Sequence, residues 1–406
     1  MSSQSRPRIR NPLTLRRVLF QVHLWIGLIL SIPFAILGIT GSYLVYDQDF
    51  ETVPAATAQG AFAAPAAILA AGAAGRDGFV PASITMPARE GLPAVVRLAR
   101  AQQPGAEQAR GGGRGGPGGP GGAFGGPQIY VDPVSLEVLG ERGRNRTELS
   151  DFNHQLHGSL QIGGREGRSV VGWLGVGMTL LGITGIVLWW PRNGRFGAAF
   201  TVKSRGGYPL HRQLHGAVGI WGWAIFVVVC FSGVAISFPQ TISAMVGAPA
   251  PQGGPFGGGG AQFEPIPGGE RISLERGLEV ARERVGDLRL TAAFLPMEAD
   301  QPMRANFASS SLRGVPQVNV SIDPYRGSIL TVRDPREVAG SMFMGWQRPL
   351  HDGQGLGFIY KALVFLSGLM PPLFMVTGTA MWWIKRKRKA ANAPISDDGL
   401  EGAPAE

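Results

Sequence analysis

Cysteine is nearly absent from this chain, because Cys230 is the one cysteine among 406 residues. A single cysteine cannot form an intramolecular disulfide, so a disulfide framework is excluded. It also cannot supply the two thiols of a Cys-x-x-Cys motif, which excludes covalent attachment of a prosthetic group by that route. Any tightly bound group is therefore expected to be held by coordination and other non-covalent contacts.

Charged residues are also scarce, at 16% of the chain, compared with about 25% in typical soluble domains. Apolar residues concentrate in four blocks, each almost free of charge and long enough to cross a bilayer core, which takes roughly 20 helical residues. Buried helices of a soluble protein would show polar faces at helical spacing, and these blocks do not. We predict a mostly α-helical membrane protein with spans at 19–46, 169–190, 213–238 and 357–384.

Basic residues flank the predicted spans on one side of the membrane. Arg16 and Arg17 precede the first span, a basic loop (191–212) joins the second to the third, and a basic run opens the tail after the fourth. By the positive-inside rule, the N-terminus (1–18), this loop and the C-terminal tail (385–406) are cytoplasmic. The first span is too long for a signal peptide and is expected to remain as an anchor.

The net charge of +10 lies largely in these cytoplasmic flanks. Orientation in the membrane and contact with anionic lipid account for it there, so nucleic-acid binding is not expected. The two long segments 47–168 and 239–356 then lie on the opposite side of the membrane. We call them the outer segments.

The chain contains an internal duplication, because its first half aligns with its second half element by element. Spans one and three each have a histidine, a glycine four residues later and another eighteen residues later, namely His23, Gly27, Gly41 and His215, Gly219, Gly233. Spans two and four are each preceded by Leu-His and end in Thr-Gly and then Trp-Trp, namely Leu156-His157, Thr184-Gly185, Trp189-Trp190 and Leu350-His351, Thr377-Gly378, Trp382-Trp383. The Trp pairs are typical of an aromatic belt at the membrane surface.

The outer segments repeat a second pattern. Alternating apolar residues surround Asp132-Pro133 in one and Asp323-Pro324 in the other, which predicts a hairpin with a turn at each Asp-Pro pair. The stretch Ser273 to Val285 is typical of a helix packed on such a sheet. We therefore predict a small α+β module in each outer segment, interrupted by glycine- and proline-rich loops at 111–126 and 248–260 that cannot bury enough apolar surface to fold.

All six histidines of the chain lie at predicted membrane boundaries, namely His23, His211 and His215 on the cytoplasmic side and His154, His157 and His351 on the outer side. Imidazole is a usual axial ligand where haem iron serves electron transfer, and a four-helix bundle can supply two facing imidazoles. The repeat pairs His23 with His215 and His157 with His351, which predicts two non-covalent b-type haems with these four side chains as ligands to the haem iron.

Other roles for these residues remain open at this point. A boundary histidine can be an ordinary interfacial hydrogen-bonding residue, and His154 and His211, which have no counterpart in the repeat, can be partners of a ligand, alternate ligands or surface residues.

Several spans contain glycines that allow close approach of either a neighbouring helix or a flat macrocycle: Gly27, Gly38, Gly41, Gly172, Gly175, Gly182, Gly185, Gly233 and Gly378. If 157–191 and 351–385 are wholly helical, each is about 50 Å long, and the outer histidines sit at or above the membrane surface.

Taken together, the motifs resemble those of the PepSY-associated transmembrane family, some of whose members are ferric-siderophore reductases of the bacterial inner membrane. The resemblance covers nearly the whole chain and rests on the repeated Leu-His, Thr-Gly-x-x-x-Trp-Trp and His-x-x-x-Gly motifs, the stretch Leu350-His351-Asp352-Gly353 and the Asp-Pro hairpins. It implies a four-helix transmembrane bundle from two tandem repeats, each with a small periplasmic PepSY-like module. The glycine-rich loops depart from the family pattern, so the resemblance does not identify the residues of the substrate pocket.

The resemblance also implies that histidines of the bundle bind b-type haem and that reductase members deliver electrons to ferric iron in the periplasm. We expect a membrane oxidoreductase that reduces a ferric siderophore or other ferric chelate, with electrons from a cytoplasmic donor or the quinol pool. No acid, base or nucleophile is expected, because outer-sphere reduction of iron needs none. The alternatives are a haem-free protein that binds or regulates peptidases and a cytochrome b subunit that passes electrons to a partner protein.

Overall fold

The computed structural model describes residues 14–47, 53–101, 126–142, 148–191, 194, 196–249, 263–309 and 315–391. The predicted glycine-rich loops at 111–126 and 248–260 lie outside these ranges except at their ends. The described residues are mostly helical, at 56%, and also form an antiparallel sheet. The described residues fall into two compact units, one within Met1–Ser42, Leu174–Cys230 and Phe365–Glu406, the other within Tyr43–Trp173 and Phe231–Val364.

The described residues form thirteen helices and eight strands. The helices are α1 (Leu15–Ile29), α2 (Ser31–Asp47), α3 (Pro65–Ala73), α4 (Glu148–Ser159), α5 (Gly164–Trp189), α6 (Phe196–Ala199), α7 (Gly207–Trp221), α8 (Trp223–Ser237), α9 (Pro239–Met245), α10 (Leu274–Val285), α11 (Ala339–Asp352), α12 (Gly357–Gly368) and α13 (Met370–Ala391). The strands are β1 (Phe79–Thr85), β2 (Ala94–Arg100), β3 (Gln128–Val131), β4 (Val138–Arg142), β5 (Arg289–Phe294), β6 (Met303–Ala308), β7 (Val318–Ile322) and β8 (Ile329–Arg333).

Two stretches of helix are long and apolar enough to cross a membrane alone, α5 with 26 residues and the stretch Gly357–Ala391 with 35 residues. Only 28% and 22% of the most apolar 18-residue stretch of each is buried, so most of this apolar surface faces outward. Such a surface is unfavourable in water and favourable in lipid. The described residues therefore indicate a membrane protein and include two to four spans, the higher number counting each bent helix pair as one span.

The bent pairs are α1 with α2, at 68°, and α7 with α8, at 69°. Each of the predicted spans 19–46 and 213–238 therefore consists of two helices joined at a bend. Pro33 has no N–H to donate to the carbonyl four residues earlier, which weakens the helix near Leu30. At Gly222, a Cβ would clash with the sulfur of Met370, and glycine also costs a helix about 1 kcal/mol relative to alanine.

The predicted histidine-containing ends of spans two and four are separate helices. A four-residue connection follows Ser159 and another follows Asp352, so the stretches 157–191 and 351–385 are not wholly helical. In the first connection Leu160 and Gln161 adopt positive φ, at 51° and 60°. In the second, Gly353 ends α11 with φ 72°, a conformation that glycine adopts at little cost.

The outer segments form one eight-stranded antiparallel sheet with the order β4-β3-β2-β1-β5-β6-β7-β8. The prediction of a separate module in each outer segment is corrected by this sheet, because β1 pairs with β5 through Ser83 opposite Phe294 and Thr85 opposite Ala292. This pairing satisfies the backbone groups of two strands that would otherwise be exposed edges. Helices α3 and α10 pack over a single apolar core that both segments share.

Both predicted hairpins are present, and a buried aspartate fixes each turn. The carboxylate of Asp132 accepts backbone N–H groups from Val134 (2.9 Å) and Ser135 (3.1 Å), and from Ala58 in a distant segment (3.2 Å). Burial by itself raises the pKa of Asp132, but these N–H groups stabilise the charged form and hold its pKa below the ordinary 3.8. Asp323 repeats the arrangement with Tyr325 and Arg326.

We expect the sheet to lose stability in acid because of these carboxylates. A lowered folded-state pKa means that the stabilisation is complete above pH 3.8 and is lost as the pH falls through the folded value. Asp132→Ala, which leaves three N–H groups without their acceptor, should cost about 1–3 kcal/mol at neutral pH. The check is the melting temperature of purified protein across pH 3 to 7, with exposed Asp77→Ala as the control; equal curves would contradict the assignment.

Candidate functional site: two histidine pairs

The first histidine pair consists of His23 on α1 and His215 on α7. Their ring centres are 6.3 Å apart and the rings are inclined at 71°. Both side chains are half-buried. The structure thus brings together two residues that lie 192 positions apart and that the sequence repeat paired.

A threonine supports each ring of the first pair through its Nδ1 atom. Thr184 Oγ1 lies 2.9 Å from His23 Nδ1, and Thr377 Oγ1 lies 2.9 Å from His215 Nδ1. Each threonine hydroxyl also bonds to the carbonyl four residues earlier, Leu180 at 2.7 Å and Leu373 at 2.9 Å. The threonines therefore fix the orientation of the rings from the side opposite to Nε2.

The glycine that follows each threonine leaves room for the imidazole. A Cβ at Gly185 would lie 3.5 Å from His23 Cε1, and a Cβ at Gly378 would lie 3.8 Å from His215 Cε1. By contrast, Gly38 lies against another helix, because its Cβ would clash with the carbonyl oxygen of Gly368. The glycines predicted from the sequence thus serve both uses, ring approach at some positions and helix packing at others.

The first pair lines a cavity of about 1420 Å³, larger than the roughly 300–1,000 Å³ of pockets for drug-sized ligands. Its apolar wall includes the side chains Phe34, Met178, Phe226, Met370 and Phe374. The described wall also contains six cations and no carboxylate, the cations being Arg16, Arg17, Arg212, Lys385, Arg386 and Lys389. This combination suits a large apolar ligand that carries negative groups at one edge.

The second histidine pair consists of His157 in the last turn of α4 and His351 in the last turn of α11. Their ring centres are 6.0 Å apart at 43°. Ser232 Oγ lies 3.3 Å from His351 Nδ1, and a Cβ at Gly233 would lie 2.9 Å from His351 Cε1. A hydroxyl residue followed by glycine therefore lies against His351, as it does against both rings of the first pair.

Both pairs have the separation that two axial ligands of one metal ion require. A ligating imidazole nitrogen lies about 2 Å from the metal and its ring centre roughly 1.2 Å further, so two opposed rings have centres about 6.4 Å apart. The observed separations are 6.3 and 6.0 Å. No group of three or more His, Cys, Asp or Glu side chains converges among the described residues. Two facing imidazoles are a ligand set that haem iron accepts, since its other ligands come from the macrocycle.

The two remaining histidines lie in different surroundings. His154 Nδ1 is 3.8 Å from the buried carboxylate of Asp47, which also accepts the hydroxyl of Ser150 at 2.7 Å. His211 does not line the cavity of the first pair, and its buried Nδ1 has no hydrogen-bond partner among the described residues. Neither His154 nor His211 is assigned a role in the site.

Asp352 adds a titratable group directly after His351. Burial raises the pKa of its carboxyl above 3.8, although the N–H of Gln354 (2.9 Å) and the guanidinium of Arg348 (3.5 Å) oppose this effect. Its repeat counterpart is Gly158, so the second pair is electrostatically asymmetric.

The Thr-Gly pairs are repeated motifs in the sequence, but their contact with the histidines was not predicted from it. The signal was present, because Thr40-Gly41, Thr184-Gly185, Ser232-Gly233 and Thr377-Gly378 give each predicted span a hydroxyl residue before a glycine. Which histidine each pair contacts is a matter of tertiary structure.

Comparison with known proteins gives a family assignment. None of the curated proteins matches this chain. The family model described as the PepSY-associated TM region matches residues 20–385, which is most of the sequence. The chain therefore belongs to the PepSY-associated TM region family.

Proposed function

We propose that this protein holds two b-type haems, one at His23 and His215 and one at His157 and His351, and serves electron transfer across the membrane. The observation that carries the proposal is the ring separation, 6.3 and 6.0 Å, at two pairs whose members occupy equivalent positions in the sequence. Bound haem would supply a one-electron carrier at each pair. The residues of the chain hold the iron, orient the imidazoles and keep water away with apolar side chains.

A tandem duplication that forms a four-helix bundle belongs to this proposal. It is supported by the element order, because α3, four strands, α4 and α5 are followed later by α10, four strands, α11 and α12. The bend angles of 68° and 69° in the first members of each half support it as well. In this scheme each half contributes one histidine to each haem.

We further propose a location in the bacterial inner membrane, with both termini and the loop 191–212 in the cytoplasm. The basic flanks of the spans support this orientation. The second histidine pair would then lie on the periplasmic side. It belongs to the same compact unit as the eight-stranded sheet, which is the part of the chain best placed to meet a periplasmic substrate.

The reaction we propose is one-electron reduction of a ferric chelate, such as a ferric siderophore, to release ferrous iron. It requires an electron at the periplasmic side and no group that exchanges protons with the substrate. The described sheet is wholly antiparallel and offers no parallel dinucleotide-binding fold. The electron donor is therefore a separate cytoplasmic protein, a soluble reductant or a membrane quinol.

The first test is the dithionite-reduced minus oxidised absorption spectrum of detergent-purified protein, with haem counted per chain. Sharp low-spin b-type bands and about two haems per chain are expected, falling to about one in each of His23→Ala, His157→Ala, His215→Ala and His351→Ala. Colourless protein from haem-replete cells would contradict the proposal and favour a haem-free regulatory role. Full loading without reoxidation by ferric chelates would point to electron delivery to a partner protein.

A further inference from the structure

We propose that Thr184 and Thr377 are positioning residues that keep the proton of each first-pair imidazole on Nδ1 and thereby lower the midpoint potential of the haem held there. This inference rests on the proposed haem binding. It concerns side chains that do not touch the iron and that neither the family assignment nor the sequence repeat gives a role.

The hydroxyl hydrogens of both threonines are directed at the backbone of their own helices. Thr184 Oγ1 is 2.7 Å from the Leu180 carbonyl oxygen, and Thr377 Oγ1 is 2.9 Å from the Leu373 carbonyl oxygen. Two oxygens come this close only with a hydrogen between them, and only the hydroxyl can supply it. Each threonine therefore donates to its own helix backbone.

The threonine hydroxyls also determine which nitrogen of each first-pair imidazole holds the proton. With its hydrogen committed to the backbone, each hydroxyl oxygen can only accept from the imidazole, so the 2.9 Å contacts are Nδ1–H donating to Oγ1. The neutral ring then has its free lone pair on Nε2, the nitrogen that a metal takes. The tautomer needed for coordination is thus set in advance at both rings.

These hydrogen bonds would also affect the redox properties of a haem iron bound by the two histidines. A hydrogen bond from Nδ1–H increases the basicity of Nε2, and a more basic axial ligand favours ferric over ferrous iron. Both ligands of the first pair have this bond, so their effects add at one iron. A lower midpoint potential makes the haem at the first pair a stronger electron donor.

The test replaces both threonines by valine, which has the same shape but no hydroxyl. In T184V/T377V we expect haem transfer to apomyoglobin to accelerate by about 10- to 100-fold, the usual cost of losing such a partner. The midpoint potential of the haem at the first pair should rise, as measured by redox titration. T184S/T377S, which restores the hydroxyls, should return both values toward those of the wild type.

Thr179→Val is the matched control. Thr179 lies on the same helix and its hydroxyl makes the same bond to the carbonyl four residues earlier, Gly175 at 2.8 Å. It does not line the cavity of the first pair, so T179V should leave haem transfer and potential unchanged. An equal change in T179V would assign the effect to general loosening of α5 and overturn the inference.

The outcomes separate this inference from the proposed function. A haem-loaded T184V/T377V protein with unchanged potential and unchanged haem transfer would overturn the role of the threonines and leave the haem proposal standing. A wild-type protein without haem would overturn both. If the double variant loses the haem of the first pair, the midpoint potential is measured in the single variants T184V and T377V instead. Each removes one of the two hydrogen bonds, so each should raise the potential by about half of the combined effect.

Discussion

Replacing His351 by alanine is expected to reduce ferric-chelate reduction by at least about 100-fold, because the haem proposed at the second pair would lose an axial ligand. The measurement is the rate at which reduced protein, freed of excess reductant, releases ferrous iron from a ferric chelate. Haem per chain is measured on the same sample. The haem at the first pair should remain, so the variant should keep about half of its absorption. Half-loaded protein with full reductase activity would show that the second pair is not on the route to substrate.

His154→Ala is the matched control for this experiment. His154 lies on α4 one turn before His157, is 48% exposed at its side chain and lies near Asp47. Because it lies outside the pair, its removal should leave haem content and reduction within twofold of the wild type. Loss of a haem in His154→Ala, with retention in His157→Ala, would reassign the ligand and change the pairing at this site.

A single methyl group at Gly233 is expected to remove the haem proposed at the second pair, while the same change at Gly378 is tolerated. The Cβ at Gly233 would lie 2.9 Å from His351 Cε1 and 3.3 Å from its Nδ1, closer than non-bonded carbon atoms approach, whereas the Cβ at Gly378 would lie 3.8 Å from His215 Cε1. The ring of His351 must therefore turn away from its position opposite His157. Haem per chain in Gly233→Ala should fall from about two to about one.

The two glycine variants are matched, since each adds one methyl group beside an imidazole in a membrane helix. Gly378→Ala should keep both haems and a normal spectrum. If Gly233→Ala also keeps both haems with unchanged low-spin bands, the close approach of α8 to His351 is not needed for coordination. If both variants lose haem, a Cβ at Gly378 also disturbs His215, although the distance of 3.8 Å to its Cε1 is an ordinary van der Waals contact.

The sequence alone determined the class of protein and the positions of the histidine pairs. Long apolar blocks are a local property, so the membrane segments could be read directly. The pairing of His23 with His215 and of His157 with His351 was predicted from the equal spacing of the same motifs in the two halves of the sequence. The hairpins at Asp132 and Asp323 were likewise predictable, since a turn is specified by adjacent residues.

Only the tertiary structure decided how distant parts combine. The bends near Leu30 and Gly222 depend on one missing N–H and one missing side chain, signals too small to outweigh a long apolar run. The joining of the two outer segments through β1 and β5 depends on strand edges more than 200 residues apart, and alternation of side chains does not specify a partner strand. The contacts of Thr184 and Thr377 with the histidines require three-dimensional placement as well, because a threonine that bonds to its own helix looks the same in sequence whether or not a ring lies beside it.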